Sequence, residues 1–309
     1  MTRALVFPGQ GAQTIGMGKA LADAYPAARA VFDEVDEALG EKLSDLIWSG
    51  DLETLTLTQN AQPASMATSM AAVRALEAEG VSVAEATCVA GHSLGEYSAL
   101  AAAGALSVRN AAILLRVRGL AMQNAVPVGD GAMAAILGLD LEAAQALAAE
   151  AAEGDVCEAA NDNDPAQVVV SGHKAAVERA VAMAKSKGAK RAVVLPVSAP
   201  FHCVLMEPAA REMEHALSEV EVVAPVVPVI SNVSAAPVSD PDEIRALLVQ
   251  QITGRVRWRE SVMAIAAMGV TEMWEVGAGK ALSGMIRRID RAVATRAVGT
   301  PDDVAAALA

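Results

Sequence analysis

The stretch Gly91-His92-Ser93-Leu94-Gly95 constrains this chain most, because it sets a serine between two glycines where a strand pattern gives way to a helix pattern. The residues before it, Ala86-Thr87-Cys88-Val89-Ala90, form an apolar run of strand length, and those after it, from Glu96 to Ala103, are mostly helix formers. A serine at a tight strand-to-helix turn has its hydroxyl held clear of the sheet. The first free amides of the helix then point at the place where negative charge would develop on a substrate. Small flanking residues are what such a turn needs, since a Cβ would clash. The alternative is a glycine-flanked turn serine with no chemistry; the strand-turn-helix context favours a nucleophile elbow.

The rest of the chain is consistent with a soluble α/β enzyme. Its 309 residues, 53% of them apolar, can bury one large core or a large and a small one. A formal net charge of −13 argues against a general nucleic-acid binder, whose surface needs excess Lys and Arg. The start, Met1-Thr2-Arg3-Ala4-Leu5-Val6-Phe7 followed by Pro8-Gly9, lacks the long apolar stretch of a signal peptide, and no apolar run approaches a membrane span. A cytoplasmic protein that binds no membrane is expected. Cys88, Cys157 and Cys203 show no C-x-x-C spacing, so neither a zinc site nor a disulfide framework is expected.

Periodicity predicts a first strand at Ala4-Leu5-Val6-Phe7, then a Gly-rich loop, Pro8-Gly9-Gln10-Gly11-Ala12-Gln13, where an α/β enzyme finds its second oxyanion donor. Long helices are expected over 17–39 and 64–79. A further helix is capped by Ser107 and ends near Asn124-Ala125-Val126-Pro127. On it, Ala111, Leu114, Leu115 and Met122 form an apolar stripe with Arg118 at its middle, while Arg116 points the opposite way as a solvated charge. An arginine facing the core needs an anion. Either a buried Asp or Glu or a substrate carboxylate would serve, and the pattern leaves both open.

From about residue 130 the predicted order becomes βαββαβ: strands at 131–137, 156–160, 167–171 and 191–195, helices at 141–152 and 174–187, and a turn at Asn161-Asp162-Asn163-Asp164-Pro165. The fold expected is therefore an α/β-hydrolase-like large domain with a parallel sheet and the nucleophile elbow (1–126 and 197–309), plus an inserted ferredoxin-like small domain (127–196). Strands at 226–230 and 272–276 and helices at 204–220, 242–251 and 257–268 complete the large domain. A final helix after Gly277-Ala278-Gly279-Lys280 carries Arg287, Arg288 and Arg291.

A serine hydroxyl attacks well only when a base takes its proton, and histidine suits that role near neutral pH. His202 follows a loop stiffened by Pro196 and Pro200 and opens a helix, which makes it the best placed of the four histidines. The ring of His92 should be directed away by the turn, His173 reads as a surface cap and His215 as exposed. No aspartate with a motif around it completes a triad, so a backbone carbonyl is the candidate to orient the base.

Taken together, Gly91-His92-Ser93-Leu94-Gly95-Glu96-Tyr97, Phe7-Pro8-Gly9-Gln10-Gly11-Ala12-Gln13, the stretches from Gly131 to Ile136 and from Gln167 to His173, and Glu275-Val276-Gly277-Ala278-Gly279-Lys280 resemble the malonyl-CoA:acyl carrier protein transacylase family of fatty-acid and polyketide synthesis, over essentially the whole chain. The resemblance implies that Ser93 carries the malonyl group, that His202 is the base, and that the amides of Gln10 and Leu94 form the oxyanion hole. It also implies that Arg118 grips the malonyl carboxylate, that the main-chain carbonyl of Gln251 orients the histidine, and that Asn161 faces the cleft. Phe201 resembles the malonyl-selective members, in which a bulky ring excludes an α-methyl branch. The family commonly has Ser where this chain has Ala12 and Pro where it has Ala278. Malonyl-CoA and acyl carrier protein are the implied partners of a monomer that needs no metal or other cofactor. The same serine and histidine would serve a thioesterase, the alternative reading, and the arginine discriminates between them. Lys185, Lys187, Lys190 and Arg191, or Arg287, Arg288 and Arg291, are candidate docking surfaces for anionic partners.

Overall fold

The structure is a computed structural model that describes residues 2–197 and 199–308; Met1, Ala309 and Ser198 of the loop before His202 lie outside the described residues. Among the described residues, ten strands make two sheets: β1 Arg3–Phe7, β2 Cys88–Gly91, β3 Gly131–Leu137, β4 Cys157–Asp164, β5 Gln167–His173, β6 Arg191–Val194, β7 Val229–Ile230, β8 Pro237–Val238, β9 Glu272–Val276 and β10 Ala294–Val298. The larger sheet has the order β10-β9-β1-β2-β7-β8 and is parallel except for β8, which runs antiparallel to β7. β1 and β2 are buried at its centre, as their apolar sequences require. One face packs on Val256, Trp258, Val262, Leu282 and Ile286, the other on the nearly all-buried helix Thr58–Ala78 and its neighbours.

The second sheet is antiparallel, in the order β4-β5-β3-β6, with helices Leu141–Ala152 and Lys174–Ala184 enclosing a separate apolar core. The βαββαβ order and all four strands expected there are present.

Several boundaries differ from expectation. The helix expected over 17–39 is two, Lys19–Ala24 and Pro26–Leu39, because Tyr25 precedes a proline and takes an extended conformation (φ −125°, ψ 114°). The next begins earlier than expected, at Thr58, and carries Pro63 inside it. Asn161 to Asp164, expected as a turn, belong to β4, which runs on through two register shifts. Their polar side chains tolerate burial because they find partners: Asp162 pairs with Arg259, Asp164 with Arg288, and Asn163 with His92. The helix after Lys280 ends at Ile289, so Arg291 lies beyond it. The short β8, the edge strand β10 and the terminal helix Pro301–Leu308 were not expected; the β10 sequence Ala-Thr-Arg-Ala-Val is only partly buried and lacks a clear apolar run. Arg116 is not a solvated charge, since its side chain is 21% exposed and pairs with Glu41.

Candidate active site

The turn after β2 is tight enough that both glycines are sterically required. A Cβ on Gly91 would lie 1.9 Å from the Gly95 carbonyl, and one on Gly95 would lie 2.3 Å from the Phe7 oxygen of β1. Between them Ser93 adopts φ 54°, in the left-handed region, and helix Gly95–Ala102 follows. Asn232, just past β7, braces this conformation from below. Its Oδ1 accepts from the Ser93 amide at 2.7 Å and its Nδ2 donates to the Gly91 carbonyl at 2.6 Å. The Ser93 amide is thereby committed, whereas the amides of Leu94 and Gln10 have no internal acceptor among the described residues. Both residues line the cleft over Ser93.

His202 Nε2 lies 2.8 Å from Ser93 Oγ, and its Nδ1 lies 2.9 Å from the main-chain oxygen of Gln251. A carbonyl can only accept, so Nδ1 carries the proton and Nε2 presents its lone pair to the serine hydroxyl. His202 also holds a left-handed backbone, φ 59°. Burial, and next the neighbouring Arg118 charge, push its pKa down to about 3, so the ring is neutral and able to accept a proton throughout the physiological range. Cys203, beside it in sequence, is buried, donates to the Pro200 carbonyl and is pushed up to about 11 by burial, which leaves it a packing thiol.

Arg118, on helix Val108–Asn124 capped by Ser107, is 1% exposed. Its Nη1 donates to Gln62 Oε1 at 2.8 Å, and its Nη2 donates to Gln251 Oε1 at 2.8 Å and to Ser93 Oγ at 3.1 Å. The guanidinium also lies 5.7 Å from the Tyr97 ring centroid. Among the described residues no Asp or Glu forms an ion pair with it, and its Nε has no partner. Of the two ways to satisfy a core-facing arginine, the internal salt bridge is absent there. The site contains a desolvated cation aimed at the serine, with the buried Glu96 near enough to attract it but not paired with it.

These groups lie in one cleft of about 420 Å³. Its floor comes from the larger sheet, and Met133, Asn161, Asn163 and Val169 reach it from the antiparallel sheet. Phe201, 8% exposed, lines it beside His202. Asn161 is buried where β4 bridges to Val256. The ring of His92 is not turned away: it lines the cleft, with Nε2 2.8 Å from Asn163 Oδ1. His173 and His215 stay apart, the first accepting from the Val156 amide and the second exposed. Among the described residues no group of three or more His, Cys, Asp or Glu side chains could hold a metal, and no helix is long and apolar enough to cross a membrane.

Four residues were missed from sequence: Gln62, Asn163, Asn232 and the side chain of Gln251. Gln62 carried no distinguishing signal, since its helix also holds Gln59, Asn60, Ser65, Thr68 and Ser69. Of the basic clusters, Lys187 is paired with Glu150 and Arg288 with Asp164, while Lys185, Lys190 and Arg191 are exposed.

A serine with a neutral imidazole on its hydroxyl, free amides above it and a buried guanidinium beside it can accept an acyl group that bears a carboxylate. Comparison with known proteins agrees. The family model described as acyl transferase domain matches residues 4–291. The malonyl CoA-acyl carrier protein transacylase of Bacillus subtilis (strain 168) is 47% identical over 306 residues, spanning 99% of this chain and 96% of that protein. The crystal structure of acyl-carrier-protein-S-malonyltransferase from Bartonella henselae aligns with a TM-score of 0.97 at 55% identity, covering 100% of this chain and 98% of that one. A malonyl-transacylase in complex with its holo type II PKS acyl-carrier protein aligns with a TM-score of 0.97 at 41% identity, covering 100% of this chain and 99% of the matched chain. By sequence along nearly its whole length and by the path of its backbone, the chain belongs to the acyl transferase family, among the malonyl CoA-acyl carrier protein transacylases.

Proposed function

We propose that this protein transfers the malonyl group from malonyl-CoA to the phosphopantetheine thiol of acyl carrier protein, in fatty-acid biosynthesis, by a ping-pong route through a malonyl-serine. Ser93 Oγ attacks the thioester carbon while His202 Nε2 takes its proton; the amides of Leu94 and Gln10 hold the oxyanion; the C–S bond then breaks and His202 returns the proton to the CoA sulfur. In the second half the carrier thiol gives its proton to His202 and attacks the malonyl ester, and the proton goes back to Ser93. The Gln251 carbonyl keeps the imidazole in the tautomer both halves require. Phe201 and Asn161 shape the acyl and thiol ends of the cleft, and the Phe201 ring favours malonyl over methylmalonyl.

The single observation that carries this reading is Arg118: a guanidinium 3.1 Å from Ser93 Oγ, buried, and hydrogen-bonded among the described residues to two amides and a hydroxyl, with no carboxylate paired to it. Such a cation is costly in an apolar pocket unless an anion arrives to occupy it, and a malonyl carboxylate does so with two parallel hydrogen bonds. A lipid esterase or simple thioesterase has no use for it. The malonyl-transacylase relative bound to an acyl-carrier protein supports the same class of partner here. Neither half-reaction changes an oxidation state, and the side chains named supply every proton transfer, so we assign no cofactor. We further read the chain as a cytoplasmic monomer. In our reading, an α/β-hydrolase-like domain of residues 1–126 and 197–309 is interrupted by a ferredoxin-like domain of residues 127–196, a division supported by the βαββαβ order and the separate apolar core.

The test is the intact mass of the protein after mixing with malonyl-CoA, followed by a chase with holo carrier protein or with buffer. The expected result is a malonyl adduct that is absent in Ser93→Ala and is discharged faster onto carrier than into water. Discharge into buffer at the same rate would make the protein a hydrolase.

A further inference from the structure

Glu96, the acid that closes the elbow motif, takes no part in the chemistry above, yet it is 2% exposed and lies beneath the reacting groups. Its Oε2 accepts from the Asn232 amide at 3.1 Å and from Gln251 Nε2 at 2.7 Å. Gln251 Nε2 also donates to the Ser93 carbonyl at 3.0 Å. With its nitrogen fixed against two acceptors, the Gln251 amide can turn only its oxygen to Arg118, which donates to it at 2.8 Å. The opposite orientation would set the amide oxygen against the Glu96 and Ser93 oxygens and its NH2 against the guanidinium, three unfavourable contacts at once. Because Oε2 already accepts from a main-chain N–H, it remains an acceptor whether or not the other oxygen holds a proton.

Gln251 therefore serves two groups at once. Its main-chain oxygen sets the tautomer of His202, and its side-chain oxygen sets the place of the Arg118 fork. From this we infer that Glu96 is a positioning residue for acyl selectivity: by fixing the Gln251 amide it aims Arg118 at the carboxylate end of the acyl group. The inference rests on the malonyl reading of Arg118 given above. Glu96 forms no hydrogen bond with Arg118 or the serine hydroxyl; besides the attraction between its carboxyl and the guanidinium, it reaches Arg118 through the single rotatable amide of Gln251, and the neutral Glu96→Gln variant separates the two.

The experiment measures initial loading rates of malonyl-CoA and acetyl-CoA by intact mass and compares their ratio between variants. Glu96→Ala frees the amide to rotate, and the malonyl-to-acetyl ratio should fall at least about 10-fold, because a misaligned fork loses its bidentate grip. Glu96→Gln should restore the ratio to within about 3-fold of the parent, since its amide oxygen can accept from Asn232 and Gln251 as the carboxyl does. Gln251→Met keeps the main-chain carbonyl and removes only the amide, so it should reproduce the loss even if Glu96→Ala does not fold. An unchanged ratio in Glu96→Ala or in Gln251→Met, or a Glu96→Gln protein no more selective than Glu96→Ala, overturns the inference. A parent protein with no preference for malonyl would instead sink the reading on which it rests, so the two failures are told apart by the parent alone.

Discussion

Two of the regions where this molecule buries charge hold it in opposite ways. On β4, Asp162 and Asp164 are 0% and 1% exposed, and each is met by an arginine from a helix packed on the larger sheet: Arg259 on Trp258–Ala267 and Arg288 on Ala281–Ile289. At the floor of the cleft, Arg118 is buried as deeply and is met by two glutamines and a serine hydroxyl. The first arrangement is complete in itself and fastens one sheet to the other. The second is incomplete until a ligand supplies the anion. A buried charge paired with its counter-charge reports on architecture; one whose hydrogen bonds go to neutral groups reports on what the site is built to receive.

The contrast is sharpest in Arg118→Met, which should lower malonyl loading by about 10²- to 10³-fold while an uncharged acetyl group loads nearly as before, measured by intact mass. Its thermal stability should fall by less than that of Asp162→Asn, because no internal ion pair is broken. Asp162→Asn should cost about 1–3 kcal/mol in denaturant unfolding and leave the malonyl-to-acetyl ratio unchanged. Asp164→Asn should cost less, as its partner Arg288 is already half in water. An ion-pair variant that changed acyl selectivity, or an Arg118 variant that did not, would dissolve the distinction.

The smallest effect concerns Glu96, buried like Arg118 and held by amides. Burial raises its pKa from 4.5 to about 7. A carboxyl whose folded pKa is raised contributes stability that is full below its unfolded value and is lost as pH rises through the folded one. The melting temperature of Glu96→Gln relative to the parent should therefore climb between pH 5 and 8, by on the order of a few °C. His202, depressed to about 3, works in the other direction: its share is present above its ordinary pKa of 6.5 and is lost as pH falls below it. A pH series on the Glu96→Gln difference isolates the first of these.

What could be read from sequence divides along the same line. The elbow at Ser93 was legible because glycine spacing and a change of periodicity are local. The histidine that meets the serine was legible because few histidines compete. Arg118 stood out as a charge on an apolar stripe, but whether an internal acid met it could not be read, since that depends on side chains brought from helix Thr58–Ala78 and from Gln251. The Asn161-Asp162-Asn163-Asp164-Pro165 stretch has turn composition and yet continues a strand, because its partners lie about 90 or more residues away in sequence, in Arg259 and Arg288. Asn232 and the Gln251 side chain act only through the fold, and no local pattern marks them.

The single imidazole on Ser93 has a consequence for traffic through the site. Of the two nitrogens at the serine hydroxyl among the described residues, Arg118 Nη2 can only donate and His202 Nε2 has a lone pair, so in our mechanism the proton that leaves with CoA and the proton that arrives with the carrier pass over the same atom. Microscopic symmetry then obliges both thiols to use one approach to one face of the acyl carbonyl. Free CoA and the loaded carrier become rivals for a shared doorway, and the direction of net transfer is set by whichever thiol is in excess outside it.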